Sequence, residues 1–429
     1  MIAGTNSGCG KTTITCAILK NLLKNNLEVM SYKCGPDYID PMFHRKIIGT
    51  DSGNLDLFLT DEDTVKYLLK TKSENYDISV IEGVMGLYDG RGGDTEYASS
   101  NHVSRITNTP VVLVVDAKGI SLSLLAVLKG YLTFSENNIK GVIFNRMSEK
   151  VYSKLKKKIE QTLPIKVLGY FPQTSKTIES RHLGLMTADE VENINEMIDA
   201  WQEQAEKYID FGLLMNIVNE AEPIVCSDIV VPKLASKLKI AVAYDRAFCF
   251  YYKENFELLE KMGVQLEFFS PLQDEDLPPN VSGLILGGGY PELHLQELNK
   301  NTKMCRRIKS AIQSGMPCIA ECGGFLYLLE KLDGIKLVGA ISGEAHMTKK
   351  LVNFGYKTIV AELDNLLCKS GESINVHEFH YSDCDQLAKG FQHTETLYAG
   401  YHHLHFWGNR KSAERFIEKC KEFRFVKGE

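Results

Sequence analysis

Two rhythms of apolar and polar residues take turns along this chain. Short runs that read as strands occur at Glu28–Lys33, Asp77–Glu82, Pro110–Val115, Ile139–Phe144 and Ile165–Phe171. The purest of them lack a polar face, as strands buried on both sides of a parallel sheet require. Helices are expected between them: over Ile14–Leu23, from near Thr60 with Asp63 as its capping partner, and from about Ala188 to Asn219. Strands alternating with helices predict an α/β fold around a parallel sheet. Residues 221–237, which hold Pro223 and Pro232, break the alternation and read as a linker. The rhythm then restarts. Strands are expected at Leu238–Ala243, Val264–Phe269, Val281–Leu286 and Met316–Ala320, with a helix over Tyr251–Met262. The expected organisation is one α/β domain over residues 1–220 and a second over 238–429.

Parallel sheets place their ligands at the C-terminal ends of strands, so the residues there matter most. The first apolar run enters Gly4-Thr5-Asn6-Ser7-Gly8-Cys9-Gly10-Lys11-Thr12-Thr13 and opens a helix. This is a phosphate cradle: Gly8 and Gly10 let the backbone approach an anion, and N–H groups up to Thr13 point at it. Lys11 would reach the β- and γ-phosphates of ATP, and Thr12 would hold Mg²⁺. The loop is a variant, because Thr5 occupies the usual first glycine and Gly4 lies one residue earlier. In Gly35-Pro36-Asp37-Tyr38-Ile39-Asp40-Pro41 two prolines and a glycine forbid helix, so a shaped loop is expected at this strand's C-terminal end. Asp37 and Asp40 are candidates for Mg²⁺ or substrate contacts, or else they close Asx-turns. Glu82 ends an apolar strand and is the candidate second carboxylate for the metal. Asn145, at another strand end, either reads adenine or caps the next helix. Arg181, within Glu179–Leu185, could meet a phosphate or a substrate carboxylate.

The second half carries different chemistry. Gly287-Gly288-Gly289 ends a strand and could expose backbone N–H groups, an oxyanion site at Gly288 and Gly289. Cys322 lies between a strand and Gly323-Gly324, the pattern of a nucleophile elbow. A helix starting at once would favour its thiolate. A thiol nucleophile needs a base. His377-Glu378-Phe379-His380-Tyr381 fails the HExxH zinc pattern, because Tyr381 stands where His is needed. In Tyr401-His402-His403-Leu404-His405-Phe406, strand alternation places His403 and His405 on one face, and one of them is the expected partner of Cys322.

Composition narrows the field without deciding it. A net charge of −6 spread along 429 residues gives no nucleic-acid footprint. No apolar run reaches transmembrane length, and eleven cysteines without framework spacing read as free thiols, so a cytoplasmic protein is expected. A nucleotide site and a cysteine–histidine site in one chain point to a glutamine-dependent amide ligase. ATP would activate a carboxylate, and glutamine would supply ammonia through a thioester.

These motifs together resemble the cobyrinic acid a,c-diamide synthases, a family of cobalamin-pathway glutamine amidotransferases. The variant cradle resembles that of dethiobiotin synthetase. Gly35–Pro41, Glu82–Gly90 and Arg181–Leu185 are similar to this family's synthetase half. Gly287–Glu292, Glu321–Gly324, His377–Ser382 and Tyr401–Phe406 are similar to its glutaminase half. The resemblance implies a P-loop, dethiobiotin synthetase-like domain followed by a class I glutaminase α/β domain. It implies ATP-dependent amidation of the a and c carboxylates of cobyrinate, with Mg²⁺, and glutamine or ammonia as donor. Cys322 falls on the nucleophile and His403 on the base. The usual third acid, two residues after that His, is replaced by His405, which leaves open what orients His403. Asp37 and Glu82 fall in the Mg²⁺ and substrate-carboxylate region. Beyond the resemblance, Tyr38 and Asp40 are substrate candidates, and Arg45, Arg91 and Arg181 are expected to help hold a polycarboxylate substrate. A homodimer is compatible with this reading; nucleic-acid and membrane partners are not expected. Nickel sirohydrochlorin is a rival substrate. A partitioning-type ATPase switch fused to a non-catalytic glutaminase-like domain is a rival of another class, although that class has a signature Lys where this chain has Asn6.

Overall fold

The computed structural model describes residues 1–173, 180–181, 184–185, 194–385 and 391–427. They form two compact units, Met1–Leu57 with Asp61–Asp228, and Phe58–Thr60 with Ile229–Glu429.

The first unit is built on seven strands: β1 (Ile2–Gly4), β2 (Val29–Cys34), β3 (Asp51–Leu55), β4 (Ile78–Glu82), β5 (Val111–Asp116), β6 (Ile139–Asn145) and β7 (Lys166–Phe171). They lie in the order β3-β2-β4-β1-β5-β6-β7, and every pairing is parallel. The shortest, β1, sits in the middle, where Ile2 pairs with both Glu82 and Val112. That position brings the glycine loop beside the end of β4. Helix α1 (Lys11–Lys24) follows the loop directly and buries Ile14, Ile18 and Leu22 against the core.

Three expectations are corrected. β3 went unpredicted because Asp-Ser-Gly-Asn-Leu carries almost no apolar signal; Ser52 and Asn54 are nevertheless buried. The helix near Thr60 starts at Glu62, and its cap is Asp61, whose carboxylate accepts the Thr64 N–H at 2.7 Å. The single long helix is two, Ile194–Tyr208 and Phe211–Val218, because Asp210 accepts the Leu213 N–H and starts a new helix. Of Glu179–Leu185 the described residues are two short strands, β8 (Ser180–Arg181) and β9 (Gly184–Leu185), paired antiparallel.

The second unit repeats the α/β logic. Strands β10 (Leu238–Ala243), β11 (Val264–Phe269), β12 (Val281–Leu286) and β13 (Cys318–Glu321) join two later ones in a six-stranded sheet. A smaller sheet contains β14 (Leu329–Leu332), β15 (Ile335–Lys336), β16 (Ile341–Met347) and β19 (Ser382–Cys384). A third sheet is antiparallel: β17 (Asn353–Val360), β18 (Ser373–His380) and β22 (His402–Leu404). The six-stranded sheet is completed by β20 (Phe391–His393) and β21 (Leu397–Gly400), in the order β11-β10-β12-β13-β21-β20. All its pairs are parallel except β20 with β21. The chain passes from β21 to β22 across Tyr401, so the histidine cluster lies at the end of the strand next to β13.

Candidate functional site

In the first unit, the glycine loop closes around its own lysine. Lys11 Nζ donates to the Asn6 carbonyl at 3.0 Å and to the Met85 carbonyl at 2.5 Å. Burial lowers its pKa. Gly10 has φ 97°, a backbone setting that favours glycine. A Cβ there would also lie 2.0 Å from the Asn145 amide nitrogen. That amide donates to the Cys9 carbonyl at 2.8 Å, so Asn145 braces the loop. It does not cap the following helix, which begins after Ser148.

Below the loop lies a buried polar cluster that the sequence reading only partly found. Thr12 donates to Glu82 Oε1 at 2.6 Å, and Lys33 Nζ lies 2.9 Å from the same oxygen. Lys33 also pairs with Asp40. His44 Nε2 lies 3.3 Å from Glu82 Oε2, an oxygen that has no hydrogen bond. Burial works against charge on Glu82, but Lys33, His44 and Thr12 overcome it and hold the carboxyl far below its usual range. Lys33 is likewise raised against burial by Asp40 and Glu82. Neither Lys33 nor His44 was anticipated. The signal was present in Lys33, a charged residue inside an otherwise buried strand, which a fold tolerates only when it is paired.

The remaining predicted residues of this unit take different roles. Asp37 closes an Asx-turn, its Oδ1 accepting the N–H groups of Ile39 at 2.9 Å and Asp40 at 3.1 Å. Asn54 of β3 fastens the same loop by donating to the carbonyls of Gly35 and Asp37. The expectation that the prolines forbid helix here is corrected: Ile39–Phe43 form a short helix, and Pro41 is tolerated because it stands in the first turn, where backbone N–H groups have no partner within the helix. Tyr38 and Asp40 are buried. Arg45 donates to the Ser52 carbonyl, and Arg91 lies exposed in the loop after β4. The side chain of Arg181 lies outside the described residues.

In the second unit, Cys322 stands at the turn from β13 into the helix Gly323–Leu328, with φ 47° and ψ −101°. That conformation is costly for a residue with a Cβ and is concentrated at functional turns. Its amide donates to the Gly400 carbonyl at 2.6 Å, which fixes the turn to β21. Gly323 and Gly324 permit the close packing, since a Cβ on Gly324 would lie 2.1 Å from the Leu286 carbonyl.

His403 is buried, and its ring is flanked by Cys322 and Glu321, which both act on its charge. Its Nδ1 lies 3.4 Å from Glu321 Oε2. Burial opposes charge on the ring, yet Cys322 and Glu321 push its pKa up to about 10. The Gly287–Gly289 turn adjoins it: a Cβ on Gly288 would come 2.7 Å from His403 Cε1. Gly287 donates its N–H to the Tyr251 hydroxyl, which leaves Gly288 and Gly289 as the oxyanion candidates of the turn.

The other histidines divide around this centre. β22 ends at Leu404, so His405 leaves the strand and its ring packs on Tyr252, 4.8 Å between centroids. His377 is the cross-strand neighbour of His403, and burial lowers its pKa to about 3. Glu378 is paired in register with His402, contacts His380 at 2.9 Å and pairs with Lys357. Among the described residues no group of His, Cys, Asp and Glu is arranged to hold a metal ion. None of the eleven cysteines, all among the described residues, is joined in a disulfide, and no helix among the described residues is long and apolar enough to cross a membrane.

Comparison with known proteins agrees with the division of chemistry. The CobQ/CobB/MinD/ParA nucleotide binding domain family matches residues 1–185, and the CobB/CobQ-like glutamine amidotransferase domain family matches residues 239–411. Cobyrinate a,c-diamide synthase of Caldanaerobacter subterraneus subsp. tengcongensis is 41% identical over 99% of this chain and 98% of its own. The synthase of Clostridium tetani is 41% identical over 98% of this chain and 99% of its own. That of Thermoplasma volcanium is 39% identical over 98% and 96%. The chain belongs to the cobyrinate a,c-diamide synthase family. It is accordingly a ligase of the glutamine amidotransferase class, with a P-loop nucleotide-binding domain ahead of the amidotransferase domain. In this member of the cobyrinate a,c-diamide synthase family, Glu321 is the residue near His403 that sequence reading missed. It adjoins Cys322, and strand alternation pointed it to the opposite face.

Proposed function

We propose that this chain amidates the a and c carboxylates of cobyrinate, using ATP and taking nitrogen from glutamine or ammonia. The observation that carries the reading is the buried Cys322–His403 pair on a strained strand-to-helix turn, in a chain that also holds a glycine cradle around Lys11. Residues 1–220 would act as the synthetase, 238–429 as the glutaminase, and 221–237 as the linker.

A carboxylate resists amines because its oxygen leaves poorly. In the synthetase, a substrate carboxylate oxygen attacks the terminal phosphorus of ATP, ADP departs, and an acyl phosphate forms. Ammonia then adds to the acyl carbon, phosphate leaves with the C–O electron pair, and a proton passes to solvent. Lys11 and the N–H groups of Gly8, Gly10, Lys11, Thr12 and Thr13 would hold the phosphates. Asn145 keeps that loop in shape. Thr12, Glu82 and Asp37 offer the hard oxygen donors that Mg²⁺ requires, and the unbonded Glu82 Oε2 fits such a role. The ion would supply neutralisation of phosphate charge. Tyr38, Asp40, Arg45, Arg91 and Arg181 would face the polycarboxylate substrate.

In the glutaminase, the Cys322 thiolate attacks the side-chain amide carbon of glutamine. N–H groups at Gly288 and Gly289 would receive the oxyanion. His403 gives its proton to the departing ammonia, and a γ-glutamyl thioester remains. His403 then takes a proton from water, which attacks the thioester and releases glutamate and the thiol. Mass spectrometry tests the reading with cobyrinate, ATP, Mg²⁺ and glutamine, and with nickel sirohydrochlorin in a parallel tube. Two successive carboxyl-to-amide mass changes on cobyrinate are expected. Conversion of the nickel tetrapyrrole alone, or of neither, would overturn it.

A further inference from the structure

We infer that Glu321, the residue immediately before the nucleophile, is the carboxylate that positions His403. The inference rests on the assignment of Cys322 and His403 as nucleophile and base. Along a regular strand, neighbouring side chains point to opposite faces, so residues 321 and 322 should not share a partner. The turn at Cys322 breaks that rule. With φ 47° the backbone leaves strand geometry, and both side chains come to one imidazole. Glu321 Oε2 lies 3.4 Å from Nδ1, which leaves Nε2 for the sulfur.

The carboxylate is itself held by the strand it serves. Glu321 Oε1 accepts the N–H of Leu404 at 3.2 Å, so the residue after His403 fixes the group that orients His403. Both side chains are largely withdrawn from solvent, 10% exposed for Glu321 and 3% for His403. The competing carboxylates do not fit. The position two residues after the base is His405, whose ring packs on Tyr252. Glu378 is already engaged by His380, Lys357 and Asn353. An Nδ1 contact of 3.4 Å is long for a hydrogen bond, as catalytic contacts often are before substrate arrives. A carboxylate there fixes the tautomer and stabilises the imidazolium that forms during attack.

The test measures glutamate release from glutamine, and the pH dependence of Cys322 alkylation by iodoacetamide followed on its own peptide. Glu321→Gln should lower kcat by about 10²- to 10⁴-fold while the KM for glutamine moves less than about 3-fold. The alkaline limb of its alkylation profile should move to lower pH, because the imidazolium loses a neighbouring anion. Glu321→Asp should restore part of both. If Glu321→Gln does not fold, as judged by circular dichroism, the alkylation profile of Glu321→Asp decides, and it should lie below that of the unmodified chain. Unchanged kcat and an unshifted profile would overturn the inference. Cys322→Ala and His403→Asn separate the two levels. Should they retain glutaminase activity, the site assignment itself fails; should they lose it while Glu321→Gln does not, only the role of Glu321 fails.

Discussion

The two units each end a strand in a tight turn that opens a helix, yet they use the turn in opposite ways. After β1 the turn is long and glycine-rich, and it feeds a helix of 14 residues. It offers backbone N–H groups and one lysine, a surface suited to holding an anion. After β13 the turn is a single strained residue, and the helix is six residues long. It offers one nucleophilic sulfur held against an imidazole. The supporting charges differ accordingly. Beneath the cradle, Lys33, Glu82, Asp40 and His44 form a buried ionic cluster. Around Cys322 the support is one histidine and one carboxylate. On the proposed function, the same fold logic yields a binding device in one unit and a covalent device in the other, depending on whether glycine or cysteine occupies the strained position.

The comparison breaks first at its two central residues. Lys11→Ala should abolish amidation with either nitrogen donor, ~10³-fold or more, because phosphate charge loses its cation. Retained ligation in a coupled ADP-release assay would remove ATP from the first unit. Cys322→Ala should abolish glutamine-dependent amidation and spare the ammonia-dependent reaction. Loss of both would mean that the second unit is not a separable glutaminase.

Stability sharpens the contrast further. Glu82→Gln leaves Lys33 and His44 facing a neutral amide, and should destabilise the first unit by about 3 kcal/mol. Urea unfolding followed in that unit would show it; a change under about 1 kcal/mol would mean that the cluster contributes little. The second unit should respond to alkali instead. Cys322 and Glu321 raise the folded pKa of His403 to about 10, against an ordinary value of 6.5. Its contribution is therefore full below pH 6.5 and is lost as the pH rises through about 10. Unfolding free energy should fall more steeply across that window than in His403→Gln, and equal slopes would contradict the coupling. The smallest effect is expected at the surface. Arg91→Gln should raise the KM for the tetrapyrrole several-fold with kcat unchanged, about 1 kcal/mol of binding. An unchanged KM would take Arg91 out of the substrate site.

What could be read from the sequence follows the same divide. Buried parallel strands announce themselves as apolar runs, so β4, β5, β6 and β7 were visible. So were the cradle and Cys322, because glycines at strand ends are conspicuous. β3 was hidden because it is largely polar, and a side chain such as Asn54 is satisfied only by tertiary contacts, with the Gly35 and Asp37 carbonyls. Lys33 and His44 were hidden because their partner, Glu82, belongs to another strand and pairing across a sheet leaves no trace in spacing. Glu321 was obscured by a correct rule applied to an irregular residue. Periodicity assumes regular backbone, and the active turn is where the backbone stops being regular.

The positive φ of Cys322 has an evolutionary side. A backbone at φ 47° and ψ −101° suits glycine, which has no Cβ to crowd. Replacement of the whole side chain by hydrogen, Cys322→Gly, would therefore relieve strain of about 1–3 kcal/mol while, on the proposed function, extinguishing the chemistry. Erosion of this domain into an inert scaffold would then run downhill thermodynamically, opposed by selection for turnover.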